Sequence, residues 1–189
     1  MSSSACVVRA GRGAAFVDEF LEQGFVGLGY GVSLGPPALS LSRDQLQEAL
    51  RTAHPSWKDG RVRSAAGQIH RFVHDFAVGD LVVTGDPSRR LYFVGKVTSE
   101  ASFAADVEVA LRRSVEWTGQ VSRDALRLAS RNTLGSILSL FRLKDDVVAD
   151  LQAHAQPLGA EVEPVVPGPA SDDEEKESLE DLRESVAEQ

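Results

Sequence analysis

The sequence predicts a mixed α+β fold, a small twisted β-barrel or sheet with helices packed around it. Strand-like runs alternate with segments of helical periodicity over the first 155 residues, and residues 81–97 read as a β-hairpin. The helices between strands are short, which suits a mixed sheet better than a doubly wound parallel one. A length of 189 residues, with 42% hydrophobic and 25% charged residues, fits one globular domain with an appendage.

The elements follow in order. Cys6-Val7-Val8-Arg9 is a short strand, and Ala10-Gly11-Arg12-Gly13 is the turn after it. Phe16, Val17, Phe20 and Leu21 recur at helical spacing, with Gly24 as the C-terminal cap. Residues 25–30 form the next strand, and Gly35-Pro36-Pro37 breaks the chain. Ser42 and Gln45 make a capping box that opens a helix with Leu46, Ala49, Leu50 and Ala53 inward. The clearest helix runs over 61–76, where Val62, Ala65, Ala66, Ile69, Phe72, Val73 and Phe76 share one face. Leu81-Val82-Val83-Thr84, a Gly85-Asp86-Pro87-Ser88 turn and residues 91–97 complete the hairpin. Residues 115–117 add a strand, Ser122 caps a helix over 123–132, residues 137–143 add another strand, and 145–153 form the last helix.

The domain is expected over residues 5–155. Residues 156–170 read as a linker, since Pro157, Pro164, Pro167 and Pro169 stand there with two glycines. Residues 171–189 are an acidic tail, expected to be disordered apart from a short charged helix over 179–186. That tail holds nine acids against Lys176 and Arg183, so it carries −7 of the net −8 and leaves −1 for residues 1–170. The body is thus near neutral, and the overall acidity does not argue against a nucleic-acid-binding surface. A single cysteine allows no disulfide framework, no apolar run is long enough for a membrane span, and the polar start is not a signal peptide. A cytoplasmic protein, without a membrane partner, is the expectation.

The chemistry-bearing residues are few. Gly11-Arg12-Gly13 after a strand suggests a phosphate cradle, but a dinucleotide fingerprint wants a small residue where Phe16 stands. A turn presenting Arg12 is the better reading. His70 and His74 share a helix face without a third ligand at a recognisable spacing, so no metal is expected, and no cofactor motif stands elsewhere. Cys6 reads as a small buried residue. No acid stands two residues before Lys96, as a metal-dependent nuclease strand requires, and there is no nucleophile elbow. No catalytic residue is expected in this chain.

Several motifs in fixed order nevertheless suggest a family. They are Val8-Arg9-Ala10-Gly11-Arg12-Gly13, Gly27-Leu28-Gly29-Tyr30, Ala66-Gly67-Gln68-Ile69-His70-Arg71-Phe72 and Val78-Gly79-Asp80-Leu81-Val82-Val83-Thr84. The series continues with Tyr92-Phe93-Val94-Gly95-Lys96-Val97, Val115-Glu116-Trp117 and Arg131-Asn132-Thr133-Leu134-Gly135-Ser136. Over about residues 6–145 this series resembles the N-terminal domain of Mrr-type restriction system proteins. That domain in turn looks like the PUA superfamily, and EVE-like domains in particular. The resemblance implies a twisted barrel with a pocket for a nucleobase, often a modified one flipped out of DNA. It also implies a nuclease domain, in cis or in trans, that this module would direct in restriction or anti-phage defence. Two positions depart from the pattern: Tyr30 stands where the family often has tryptophan, and Gly85 where it often has tyrosine.

A base pocket needs an aromatic platform and polar groups for the base edge. Tyr30, Trp117 and Trp57 are candidates for the platform, Gln68 and Asp86 for the edge, and Arg12, Gly13, Arg71, Arg89 and Arg90 for phosphates. Each has a plainer alternative: Trp117 in the core, Arg89-Arg90 at a solvated hairpin tip, Tyr30 and Gln68 in structural roles. Two other functions stay open, a nucleotide or small-molecule sensor and a protein-interaction module acting through the acidic tail.

Overall fold

The computed structural model describes residues 4–161. The linker after residue 161, the acidic tail and its expected helix lie outside the described residues. The fold is mixed α+β, as the sequence predicts. Seven strands form one curled sheet in the order β2-β6-β4-β3-β1-β7, with β5 on β6 beside this path. β1 (Ala5–Val8) runs parallel to β3 (Leu81–Asp86), and the other pairings are antiparallel. β2 is Phe25–Leu28, β4 Leu91–Val97, β5 Ser102–Phe103, β6 Leu111–Ser122 and β7 Leu140–Arg142.

β1 is buried on both faces, and its alternation divides the core. Cys6 and Val8 join a larger cluster with Phe20, Leu46, Leu50, Val62, Ile69 and Phe72, under α1 (Val17–Gln23), α2 (Arg43–Ala53) and α3 (Asp59–His70). Ala5 and Val7 join a smaller one with Leu126, Leu134, Val147 and Leu151, under α4 (Leu128–Leu134) and α5 (Asp145–Ala153). Cys6, 1% exposed, is a core residue. Among the described residues, no helix is long and apolar enough to cross a membrane.

The caps appear where the sequence puts them. Gly24 ends α1 in the left-handed region at φ 65°, and Ser42 and Gln45 exchange both capping-box hydrogen bonds at the start of α2.

Several expectations need correction, among them the strand expected over 137–143, which is confined to Leu140–Arg142 because Ile137 and Leu138 are exposed. Ala53 is exposed, because the last turn of α2 runs past the core. The expected helix over 61–76 is regular only through His70 and then widens into one π-helical turn, Arg71–Asp75. There the buried guanidinium of Arg113 donates to the carbonyls of Phe72 and Val73, both at 2.8 Å. Ser122 caps nothing: a 3-10 turn at Arg123–Ala125 is followed by an extended break at buried Leu126, and α4 begins only at Leu128. Asp150 of α5 accepts the Arg127 N–H there at 3.0 Å. The strand expected over 115–117 is twelve residues long, since buried Arg113 and exposed Ser114 and Glu116 disguise its pattern. Residues 156–160 dock on β6 rather than leaving the body at 155. Gln120 and Gln156 exchange backbone hydrogen bonds at 2.8 Å, and the Gln120 side chain holds Gly159 N–H and the Ala160 carbonyl. Gly119 permits this, since a Cβ there would lie 2.9 Å from the Gln156 carbonyl oxygen.

Candidate ligand cleft

The turn after β1, the β3–β4 hairpin turn, the end of β6 and the end of α4 enclose a cleft of about 170 Å³. Arg9, Gly11, Asp86, Tyr92, Arg123 and Ser136 supply its polar or constrained lining. The turn is built by glycine geometry. Gly11 has φ 78°, and a Cβ there would meet the Phe16 ring at 2.6 Å. Phe16 therefore occupies the space that a dinucleotide fingerprint leaves empty. The N–H groups of Ala14, Ala15 and Phe16 bond to Gly11, Arg12 and Ala10 carbonyls, so they do not form a phosphate cradle. Ala14 is held at φ 60°, a costly conformation for a residue with a Cβ, at the edge of the cleft.

Gly85 and Tyr92 face one another across the β3–β4 ladder. A Cβ on Gly85 would lie 3.1 Å from the Tyr92 ring, so the absent side chain gives this ring its place. Burial pushes the Tyr92 phenol pKa up, and the nearby charge and hydrogen bond of Arg123 offset part of that. Arg90 and Arg131 stand close enough to act on the same phenol. Arg131 Nε is buried without a hydrogen-bond partner among the described residues.

The hairpin turn is tied down by charge. Asp86 is 3% exposed, and its Oδ1 accepts from the Ser88 N–H and hydroxyl and from the Arg89 N–H at 2.9, 2.6 and 3.2 Å. Burial alone would raise its pKa, but these bonds, led by the Ser88 hydroxyl, and the Arg89 guanidinium hold it below the ordinary carboxylate value. Arg89 bridges Asp86 Oδ2 at 3.3 Å and Asp18 at 2.6 Å. Arg90, at φ 53°, pairs with Asp124 through two nitrogens, at 3.0 and 2.5 Å. The hydrogen bond from Arg90, before the charges of Arg123 and Arg131, depresses the Asp124 pKa.

The residues singled out from the sequence divide between several places. Asp86 lines the cleft, Arg12 and Gly13 sit in the turn at its rim, and Arg89 and Arg90 are at the hairpin tip. Tyr30 and Gln68 lie together elsewhere, at the start of β7. The Tyr30 hydroxyl meets Ser139 Oγ at 3.0 Å, and Gln68 spends its amide on Leu140 N–H and Ser64 Oγ. Trp117 packs on the larger core and donates to the Phe20 carbonyl at 2.8 Å. Trp57 stacks on His54 at 4.0 Å and lies under Arg61. Arg71 is half-buried in the π-helical turn, near Cys6. The His70 and His74 rings lie 4.6 Å apart, tilted by 47°, and no group of three metal-ligating side chains is assembled among the described residues.

The sequence reading missed Arg9, Tyr92, Arg123 and Ser136 as cleft residues. Tyr92 was open to discovery, because an inward aromatic opposite a glycine in a hairpin marks a fitted contact. Arg123 was hidden by assigning it to a helix.

No curated protein and no solved structure matches the chain. Residues 8–144, which include every lining residue of the cleft except Val7, match a family described as a domain of unknown function, DUF8426, and the chain belongs to that family.

Proposed function

We propose that this chain is a DNA-recognition domain that takes one nucleobase into the cleft and directs a nuclease domain, in cis or in trans, in restriction or anti-phage defence. The observation that carries this reading is the charge around the cleft. Arg9, Arg12, Arg89, Arg90, Arg123 and Arg131 surround it, answered by Asp18, Asp86 and Asp124. Six arginines thus gather at one cleft of a body whose net charge is −1.

The cleft, about 170 Å³, is well below the roughly 300–1,000 Å³ of drug-sized pockets, so a single ring suits it better than a dinucleotide. Tyr92 supplies an aromatic wall, while Ser136 and the less occupied Oδ2 of Asp86 are suited to a base edge. The resemblance of the ordered motifs to Mrr-type N-terminal domains, and through them to PUA and EVE-like domains, supports the same reading. On this reading the chain itself is not an enzyme. Its one buried cysteine suits a cytoplasmic setting. A sensor of a free nucleotide or small anion is the second reading, favoured by the Nε of Arg131 behind the cleft, which has no hydrogen-bond partner among the described residues.

The test is binding of the full chain to matched duplexes, unmodified or carrying 5-methylcytosine or 5-hydroxymethylcytosine, at two salt concentrations. Affinity is expected to fall with salt, and Arg9→Gln and Arg123→Gln are each expected to lower the salt slope by about one. Preference for one modified duplex would locate the readout in the base. Absence of salt-dependent binding to any duplex refutes the DNA reading, and binding of a free nucleotide would then favour the sensor.

A further inference from the structure

The loop between α4 and β7 displays two large apolar side chains at the rim of the cleft. Ile137 and Leu138 are 61% and 44% exposed, between buried Leu134 and buried Leu140. The backbone that carries them is pinned. The Arg9 guanidinium donates to the Ile137 carbonyl at 2.8 Å, and the Arg9 N–H donates to the Ser139 carbonyl at 2.9 Å. The Ser139 hydroxyl meets the Tyr30 hydroxyl at 3.0 Å, and the Leu138 N–H donates to Ser136 Oγ at 3.4 Å. Arg9 and Ser136 both line the cleft. The fold thus fixes in place, beside the cleft, two apolar side chains that it does not bury.

We infer that Ile137 and Leu138 are an apolar wedge that enters the DNA base stack and fills the gap left by the base taken into the cleft. This role rests on the DNA reading of the cleft and supplies the group that holds the duplex open. Extruding one base leaves its neighbours two rises of about 3.4 Å apart, a gap of about 7 Å. An aliphatic carbon rests about 3.5–4.0 Å from each surface it touches, so one branched side chain fills such a gap. Apolar wedges suit this place because they restore contact in the opened step without needing hydrogen bonds there. Arg9 ties gap and pocket together, since its guanidinium holds the backbone of the wedge and the same residue lines the cleft. Two side chains fall far short of the roughly 800 Å² that each partner buries in a stable protein interface, whereas they match a single gap.

The test uses the full chain and duplexes with one cytosine, 5-methylcytosine or 5-hydroxymethylcytosine at a fixed position, each with 2-aminopurine as the 3′ neighbour of that base. At saturation the wild type is expected to raise 2-aminopurine fluorescence at least about twofold in the duplex it binds best, because the probe loses a stacked neighbour. The double change Ile137→Ala, Leu138→Ala is expected to weaken binding to that duplex at least about tenfold. It should leave the urea midpoint of unfolding unchanged, since both side chains are exposed. Binding without a fluorescence rise places the pair outside the stack and overturns the inference. A double variant that binds as tightly as wild type overturns it too, and either result leaves DNA binding standing. A wild type that binds none of the duplexes refutes the DNA reading itself, and the wedge falls with it.

Discussion

Gln68 Oε1 accepts the backbone N–H of Leu140 at 3.0 Å, joining the last turn of α3 to the edge strand β7. Both residues are buried, and the other end of the Gln68 amide bonds to Ser64 Oγ at 3.2 Å. The amide is therefore spent on the fold. Gln68→Ala is expected to destabilise the protein by about 1–3 kcal/mol, the usual cost of an orphaned buried donor. Urea unfolding reads that loss. Ligand affinity per folded molecule should be unchanged, and a selective loss of affinity would return Gln68 to the binding site.

Gln68 also shows where sequence reading succeeds and where it stops. Its place on the inner side of a helix follows from periodicity, as do the core positions Val62, Ile69 and Phe72, the capping box of Ser42 and Gln45, and the bounds of α5. These features are set by neighbours within one or two turns. The cleft is not, because its walls come from residues 7–14, 85–92, 123 and 134–136, which the long-range β1–β3, β1–β7 and β4–β6 pairings bring together. Aromatic residues looked alike in the sequence, yet Trp117 is fixed by Phe20 and Trp57 by His54, while Tyr92 reaches the cleft.

Gly85 and Tyr92 are coupled by contact. Gly85→Ala places a methyl group at 3.1 Å from the Tyr92 ring and should cost about 1–3 kcal/mol through overpacking. In a Tyr92→Leu background the same change should cost less than about 1 kcal/mol, a non-additivity that a double-mutant cycle in urea measures directly. Additive costs would mean that Tyr92 yields freely.

Asp86 gives the hairpin an acid sensitivity. Its pKa is lower folded than free, so its contribution is fully present above the unfolded value, about 3.9, and is lost as pH falls through the folded value. Asp124, held by Arg90, acts with the same sign. The stability difference between wild type and Asp86→Asn is expected to be large at pH 7 and to shrink below about pH 4, measured by denaturant unfolding at both pH values. A difference that does not change between them would show that the Ser88 and Arg89 hydrogen bonds, rather than the charge, hold the turn.

Arg113 is wholly buried, and its worth comes from carbonyls rather than from a counter-ion. Its guanidinium donates to Phe72, Val73 and Ser99 carbonyl oxygens at 2.8, 2.8 and 3.0 Å, and meets Glu100 only at 3.4 Å. Burial lowers its pKa, and Glu100 restores part of that. Glu100 is 81% exposed, so water screens its charge, and Glu100→Gln is expected to cost no more than about 1 kcal/mol. Arg113→Met keeps much of the side-chain volume but strands the carbonyls of the π-helical turn, which no longer close a regular helix. It is expected to cost about 3–5 kcal/mol, the range for removing one member of a buried charged network. Hydrogen exchange localises the effect: amides of residues 71–76 and 99–100 should lose protection beyond the global change. If Glu100→Gln proved as damaging as Arg113→Met, the ion pair would be the dominant contact and the carbonyl account of the turn would fail.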